Sequence, residues 1–165
     1  MARCTATEED TILLFGGIDI VTNKCISDIY IFSGFDKKKV DVTLVGSLET
    51  QLNSGMNVAQ LKSNKARYQS GNKQPGPRAG HGLYYFDEKC ILFGGFKKQF
   101  LHDKWELNNV NDGCFYFSIK TDTWYELPVV SEDPKVLQRS LFASCLVHRQ
   151  KSIFFCGGLN VSINY

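Results

Sequence analysis

Apolar residues along the chain fall into short runs set off by glycine, proline and charged residues, and three of these runs end alike. Ile12-Leu13-Leu14-Phe15 is followed by Gly16-Gly17, Cys90-Ile91-Leu92-Phe93 by Gly94-Gly95, and Ile153-Phe154-Phe155-Cys156 by Gly157-Gly158. Runs this short, bounded by turn residues, predict buried strands, and a glycine pair supplies the positive-φ backbone that ends each one. Three copies make an internal repeat, which constrains the architecture before any single residue does.

The middle copy shows what a unit contains. Pro77-Arg78-Ala79-Gly80-His81 predicts a turn leading into a strand that ends at Phe86, and Asp87-Glu88-Lys89 is a polar connection suited to a tight hairpin. Cys90 to Phe93 is the returning strand, and Cys114 to Ile119 is a third strand rich in β-formers. Lys120 to Thr123 is a turn, Trp124 to Leu127 the fourth strand, and Pro128 ends the pairing. Four antiparallel strands joined by hairpins and repeated along a chain describe a propeller blade.

These residues resemble the kelch-repeat β-propellers of the galactose-oxidase type. The resemblance is carried by Arg78 and His81, by Ile91 to Gly95, and by Phe117 to Leu127, which matches the family's aromatic, Thr, Trp, Leu pattern with Trp124 in the tryptophan place. In the first unit Arg3 takes the Arg78 place, Tyr30 lies in a similar third strand, and Lys39 falls where the tryptophan belongs. Val40 to Val45 still alternates well enough for a fourth strand. In the third unit Arg139 leads the strand Leu141 to Val147. The glycines Gly16, Gly17, Gly94, Gly95, Gly157 and Gly158, with Arg78, Trp124 and Tyr30, form the structural motif that the resemblance implies.

The expected organisation is an all-β chain of blades. Blade 1 covers 1–45, a flexible inter-blade insertion 46–76, blade 2 77–128 with a loop insertion at 96–110, and a truncated blade 3 129–165. Gly17, Gly95 and Gly158 lie 78 and then 63 residues apart, where kelch-like units run to about 50. The excess falls where loops belong. Residues 46–76 are polar and carry Lys62, Lys65, Arg67 and Lys73 against Glu49. The chain holds about two and two-thirds four-stranded antiparallel blades, whereas propellers close with roughly four to eight. A kelch-type propeller fragment, with its remaining blades outside this chain, is the reading.

Composition narrows the function without naming it. The chain has 165 residues, 43% of them hydrophobic, 13% aromatic and 22% charged, with a net charge of +2. Those values suit a globular domain and give no field that would draw nucleic acid or an anionic membrane. Six scattered cysteines show no zinc spacing and sit mostly in apolar runs, which points to a reduced, cytoplasmic setting.

Residues with catalytic chemistry are sparse. His81 reads as a packing residue, His102-Asp103 as a solvated loop pair, His148 as a hairpin turn, and Lys37-Lys38-Lys39 as a solvated corner. Asp28 and Asp112 precede third strands and suit turn hydrogen bonds. The glycine pairs match no phosphate-binding fingerprint, and no nucleophile stands in an elbow. No catalytic residue, metal ligand or cofactor is therefore assigned. The leading expectation is a binding scaffold or adaptor that contacts protein partners through its blade loops, with Phe96, Phe100, Leu101 and Trp105 as the candidate contact residues. The alternatives are part of a kelch-type enzyme, a metal-dependent oxidase or lyase, or the partner-binding part of a larger phosphatase or ubiquitin-ligase adaptor.

Overall fold

The computed structural model describes residues 3–6, 11–33, 41–45, 73–160 and 162–164, with the backbone alone at 3–6, 41–45, 134 and 162–164. The expected insertion at 46–76 lies almost wholly outside the described residues, as do Lys37-Lys38-Lys39. The described chain is all-β. The first sheet contains β1 (Arg3–Ala6), β2 (Ile12–Phe15), β3 (Ile29–Ser33) and β4 (Asp41–Val45), hydrogen-bonded in chain order. The middle unit contributes β5 (Gly82–Phe86) and β6 (Lys89–Phe93), then β7 (Phe96–Leu101) and β8 (Lys104–Asn109), then β9 (Cys114–Ser118) and β10 (Thr123–Leu127). In the second sheet β5, β6, β9 and β10 pair antiparallel in that order. A third sheet has β11 (Ala143–Val147) and β12 (Ser152–Cys156), and β13 (Ser162–Asn164) pairs with β8.

Two expectations change. Residues 96–110 are not a loop but an ordered hairpin, because Phe96 to Asn109 alternates well enough to pair in full register. The last segment does not extend the third sheet, since β13 crosses to the edge of that hairpin.

Strand register aligns the units more closely than residue spacing does. Phe15 pairs with Arg3, Phe93 with Gly82, and Cys156 with Ala143. Arg3 therefore stands at the place of Gly82, four residues past the Arg78 place it was expected to fill, and Arg139 is the true counterpart of Arg78. Register also moves the tryptophan place in the first unit: Phe117 pairs with Trp124 and its counterpart Phe32 pairs with Val42, not Lys39. The β3–β4 connection is longer than the β9–β10 turn, so counting residues from Phe32 overshoots nothing but stops short of the strand.

The sheets stack face to face. Leu13, Phe15 and Ile29 of the first sheet meet Leu83, Cys90, Leu92, Phe115, Phe117 and Trp124 of the second in one buried cluster. Alternate residues of the second sheet turn the other way, and Phe93 and Cys114 pack against Phe142, Ile153 and Phe155 of the third. Each fully buried Phe or Leu contributes about 1.5–3 kcal/mol, so these two interfaces dominate the favourable side of folding. Edge-on contact of Phe15 with Trp124, at 5.1 Å between ring centroids, and stacking of Phe93 on Phe142, also at 5.1 Å, set the spacing between neighbouring sheets.

A backbone joint recurs at both interfaces. Gly17 N–H donates to the Arg78 carbonyl at 2.9 Å, and Gly95 N–H donates to the Arg139 carbonyl at 2.8 Å. The first glycine of each pair has positive φ (65° at Gly16, 64° at Gly94) and lies against that same carbonyl. A Cβ on Gly16 would sit 2.6 Å from the Arg78 oxygen, and one on Gly94 would overlap the Arg139 oxygen. Gly94→Ala is thus expected to cost about 2–5 kcal/mol through left-handed strain plus overlap. Gly157→Ala, whose Cβ would meet nothing within 4 Å, should cost only the strain, about 1–2 kcal/mol. Urea unfolding of the two variants checks the difference; equal losses would count against the joint.

Candidate functional site

The hairpin of β7 and β8 carries two exposed large apolar residues, Phe100 and Leu101. His102 and Asp103 both take left-handed backbone, φ 49° and 61°, which gives the two-residue turn whose twist matches that of paired strands. Asp87 and Glu88 form the same turn between β5 and β6, at φ 50° and 58°.

Pairing assigns side chains to the two faces of the hairpin. Phe96, Lys98 and Phe100 share a face with Trp105, Leu107 and Asn109, while Lys97, Gln99 and Leu101 share the other with Lys104, Glu106 and Asn108. Phe100 and Leu101 therefore point to opposite sides of the tip. They are 49% and 39% exposed, and a tip that is apolar on both faces cannot hide both by folding onto its own unit. Phe100 lies 5.3 Å from its cross-strand partner Trp105. Lys98 places its ammonium 4.9 Å from the Trp105 ring centroid, and its Nζ donates to Asn23 Oδ1 at 2.7 Å.

The base of the hairpin is held from three sides. Ala79 and Phe96 exchange backbone hydrogen bonds of 3.0 and 2.9 Å, and Val110 N–H donates to the Gly95 carbonyl at 3.0 Å. Phe96 is 8% exposed and packs with Cys25 and Ala79. It anchors the hairpin and does not belong to the exposed contact set in which it was expected. From the first unit, Cys25 Sγ donates to the Phe96 carbonyl at 3.6 Å and accepts from Lys98 N–H at 3.2 Å. Burial pushes the Cys25 thiol up from its ordinary pKa, so it behaves as a neutral packing group. From the third unit, Asn109 Nδ2 donates to the Gln138 carbonyl at 2.7 Å and to Asn160 Oδ1 at 2.8 Å, and Ser140 Oγ donates to Asn109 Oδ1 at 3.1 Å. Asn23, Cys25 and Asn109 are the supporting residues that sequence reasoning missed. Their partners lie far along the chain, so no local pattern marks them.

The motif residues are structural in place. Arg78 is fully buried; its Nη2 donates to Asp112 Oδ2 at 2.5 Å, its Nη1 to the Gly94 carbonyl at 3.3 Å, and its Nε to the Gly76 carbonyl at 3.1 Å. Burial pushes its pKa down, opposed by the adjacent Asp112 carboxylate. Asp112 also accepts from Gly76 N–H at 3.2 Å, a contact between distant segments and not the turn bond expected of it. Trp124 lies buried between Phe15 and Phe117. His81 is buried edge-on to Phe15 at 5.4 Å. The Tyr30 hydroxyl donates to Asp28 Oδ2 at 3.2 Å. His102 occupies the hairpin turn, and His148 a short 3-10 turn (His148–Gln150) with its ring 6.0 Å from that of Phe86.

Among the described residues no group of three or more His, Cys, Asp or Glu side chains is placed to hold a metal ion. An open depression of about 540 Å³ beside β9 and β10 is lined by Val110, Cys114, Leu127, Pro128 and Leu137, with Glu126 the one charged lining residue among the described residues. Lys73 already engages Glu126 at 3.0 Å. The chain matches no protein-family model and no curated protein.

Arg78→Ala is expected to cost about 3–5 kcal/mol, since it empties a fully buried site and leaves the partly buried Asp112 carboxylate without its counter-ion; chemical denaturation reads the loss. Stability should also fall at high pH. Burial pushes the Cys90 thiol up to about 12 and the Cys114 thiol up to about 11 from an ordinary 9.0. Burial, followed by the charge of Asp28, pushes the Tyr30 phenol up to about 12 from 10.0. Each group keeps its proton longer when folded, so stability is complete below pH 9 and declines from there toward pH 12 as the unfolded chain loses protons first. A urea midpoint that stayed flat across that range would contradict the burial of these groups.

Proposed function

We propose that the chain is part of a kelch-type β-propeller that serves as a protein-interaction module, a binding scaffold or adaptor without chemistry of its own. Its contact surface is the tip of the β7–β8 hairpin. The single observation that carries the binding role is the exposed Phe100 and Leu101 pair held on a hairpin whose base is fixed by hydrogen bonds from both neighbouring units. Exposed apolar groups on an ordered support cost little further entropy on binding, which is what an interaction hot spot needs. The propeller reading is supported by the four-stranded antiparallel sheets, stacked face to face through the repeated glycine joint. No helix among the described residues is long and apolar enough to cross a membrane. The buried free thiols, kept protonated by their surroundings, favour a reduced cytoplasmic setting.

A double Phe100→Ala, Leu101→Ala variant tests this. With the full chain immobilised as bait, partner retention should fall at least tenfold relative to the unaltered chain. The melting temperature should drop by no more than about 4 °C, the equivalent of about 1 kcal/mol for a chain of this size. Trp105→Ala should lower both readings, because Trp105 also seats Lys98. Retained partners with the double variant, or a collapse of its stability, would remove the hairpin tip from the contact surface.

A further inference from the structure

The third sheet repeats the joint of the first two sheets, but only one half of it is filled. By register Phe154 is the counterpart of Leu13 and Ile91, and Cys156 the counterpart of Phe15 and Phe93. Leu13 and Phe15 are fully buried and Phe93 is 5% exposed, because the next sheet covers them, whereas Phe154 is 54% exposed. Cys145, directly opposite Phe154, and Cys156 are exposed as well. Gly158 N–H, the counterpart of the donors on Gly17 and Gly95, reaches no acceptor among the described residues. Gly157 has the same turn, φ 72°, yet a Cβ there would meet nothing within 4 Å. At Gly16 and Gly94 the same position is closed by a carbonyl and by the His81 or Phe142 ring.

We infer that the outer face of β11 and β12 is a docking joint for one further four-stranded unit of the same kind, carried in the same polypeptide. Its leading segment would resemble Arg78 to His81 or Arg139 to Phe142: an Arg whose carbonyl accepts from Gly158 N–H, and three residues later a ring that lies against Gly157. Its sheet would cover Phe154, Cys145 and Cys156 with apolar side chains, as Cys90, Leu92 and Phe117 cover Leu13 and Phe15. A second copy of this chain fits less well. In this chain each unit is covered by the one that follows it, the first by the second and the second by the third, so a following unit continues the pattern. The inference rests on the stacked-unit reading above and is independent of the hairpin. If that underlying reading failed, Gly94→Ala and Gly157→Ala would be equally costly.

Maleimide labelling tests the inference on the protein purified from its source cells, side by side with the 165-residue chain. Cys156 and Cys145 should react rapidly in the 165-residue chain, at rates far above those of buried Cys90 and Cys114. In the source protein Cys156 should react at least tenfold more slowly, within a polypeptide whose denatured mass exceeds that of 165 residues. Equal rates in the two samples would overturn the inference, whether fast in both or slow in both. Protection that depends on protein concentration, with a native mass twice that of the polypeptide, would assign the face to a second copy and overturn it too. Protection by a separate co-purifying chain would do the same.

Discussion

The stacking of sheets depends on a contact that no side chain makes: the approach of one unit's backbone to the glycine pair of the unit before it. Gly16 and Gly94 let a neighbouring carbonyl come within the volume that any Cβ would fill, and Gly17 and Gly95 then donate a hydrogen bond to it. This contact is both permissive and directional. It brings the sheets close enough for Phe15 to meet Trp124 and for Phe93 to stack on Phe142, and it fixes which residues face each other. Hydrophobic burial supplies most of the energy, but burial alone would accept several registers. The backbone hydrogen bond selects one.

Arg78 ties this joint to the rest of its own unit. Its carbonyl belongs to the joint with the first sheet, while its guanidinium reaches the Gly94 carbonyl and Asp112. One residue thus links the preceding glycine pair, its own glycine pair and the turn into β9. A guanidinium suits this place because its fixed fork serves several acceptors at once and its charge persists under burial. Lysine would supply the charge without the fork. Arg139 repeats the backbone part of this arrangement, but its side chain is exposed and reaches the Gly157 carbonyl at a longer 3.4 Å.

What the sequence made legible was periodic and local. The three apolar runs ending in glycine pairs, the Asp87-Glu88 turn and all four strands of the middle unit stand where alternation and turn chemistry predict them. Spacing was less reliable than register. Lys39 is reached by counting from Phe32, and the count fails because connections differ in length between units while hydrogen-bonded pairs do not; register likewise moves Arg3 to the Gly82 place. The hairpin at 96–110 was hidden for another reason. His102-Asp103 lacks the glycine that usually marks such a turn, and both residues adopt left-handed backbone regardless. Phe100 and Leu101 could be picked out as conspicuous, yet their exposure could not, because burial depends on what the fold brings alongside. Phe96, of the same residue type and in the same strand, is an anchor.

The hairpin and the stack are parts of one construction. Gly95 donates to the third unit through its N–H and accepts Val110 N–H through its carbonyl, so the residue that sets the joint also closes the hairpin's base. Asn23 and Cys25 of the first unit grip β7, and Gln138, Ser140 and Asn160 of the third grip Asn109 on β8. The exposed tip is consequently aimed by all three units, although its own residues touch few of them. Loosening any one interface would tilt the tip before it unfolded a sheet, because the polar grips are few and the apolar clusters are large. A tip built this way draws its rigidity from the repeat and not from the residues at its end.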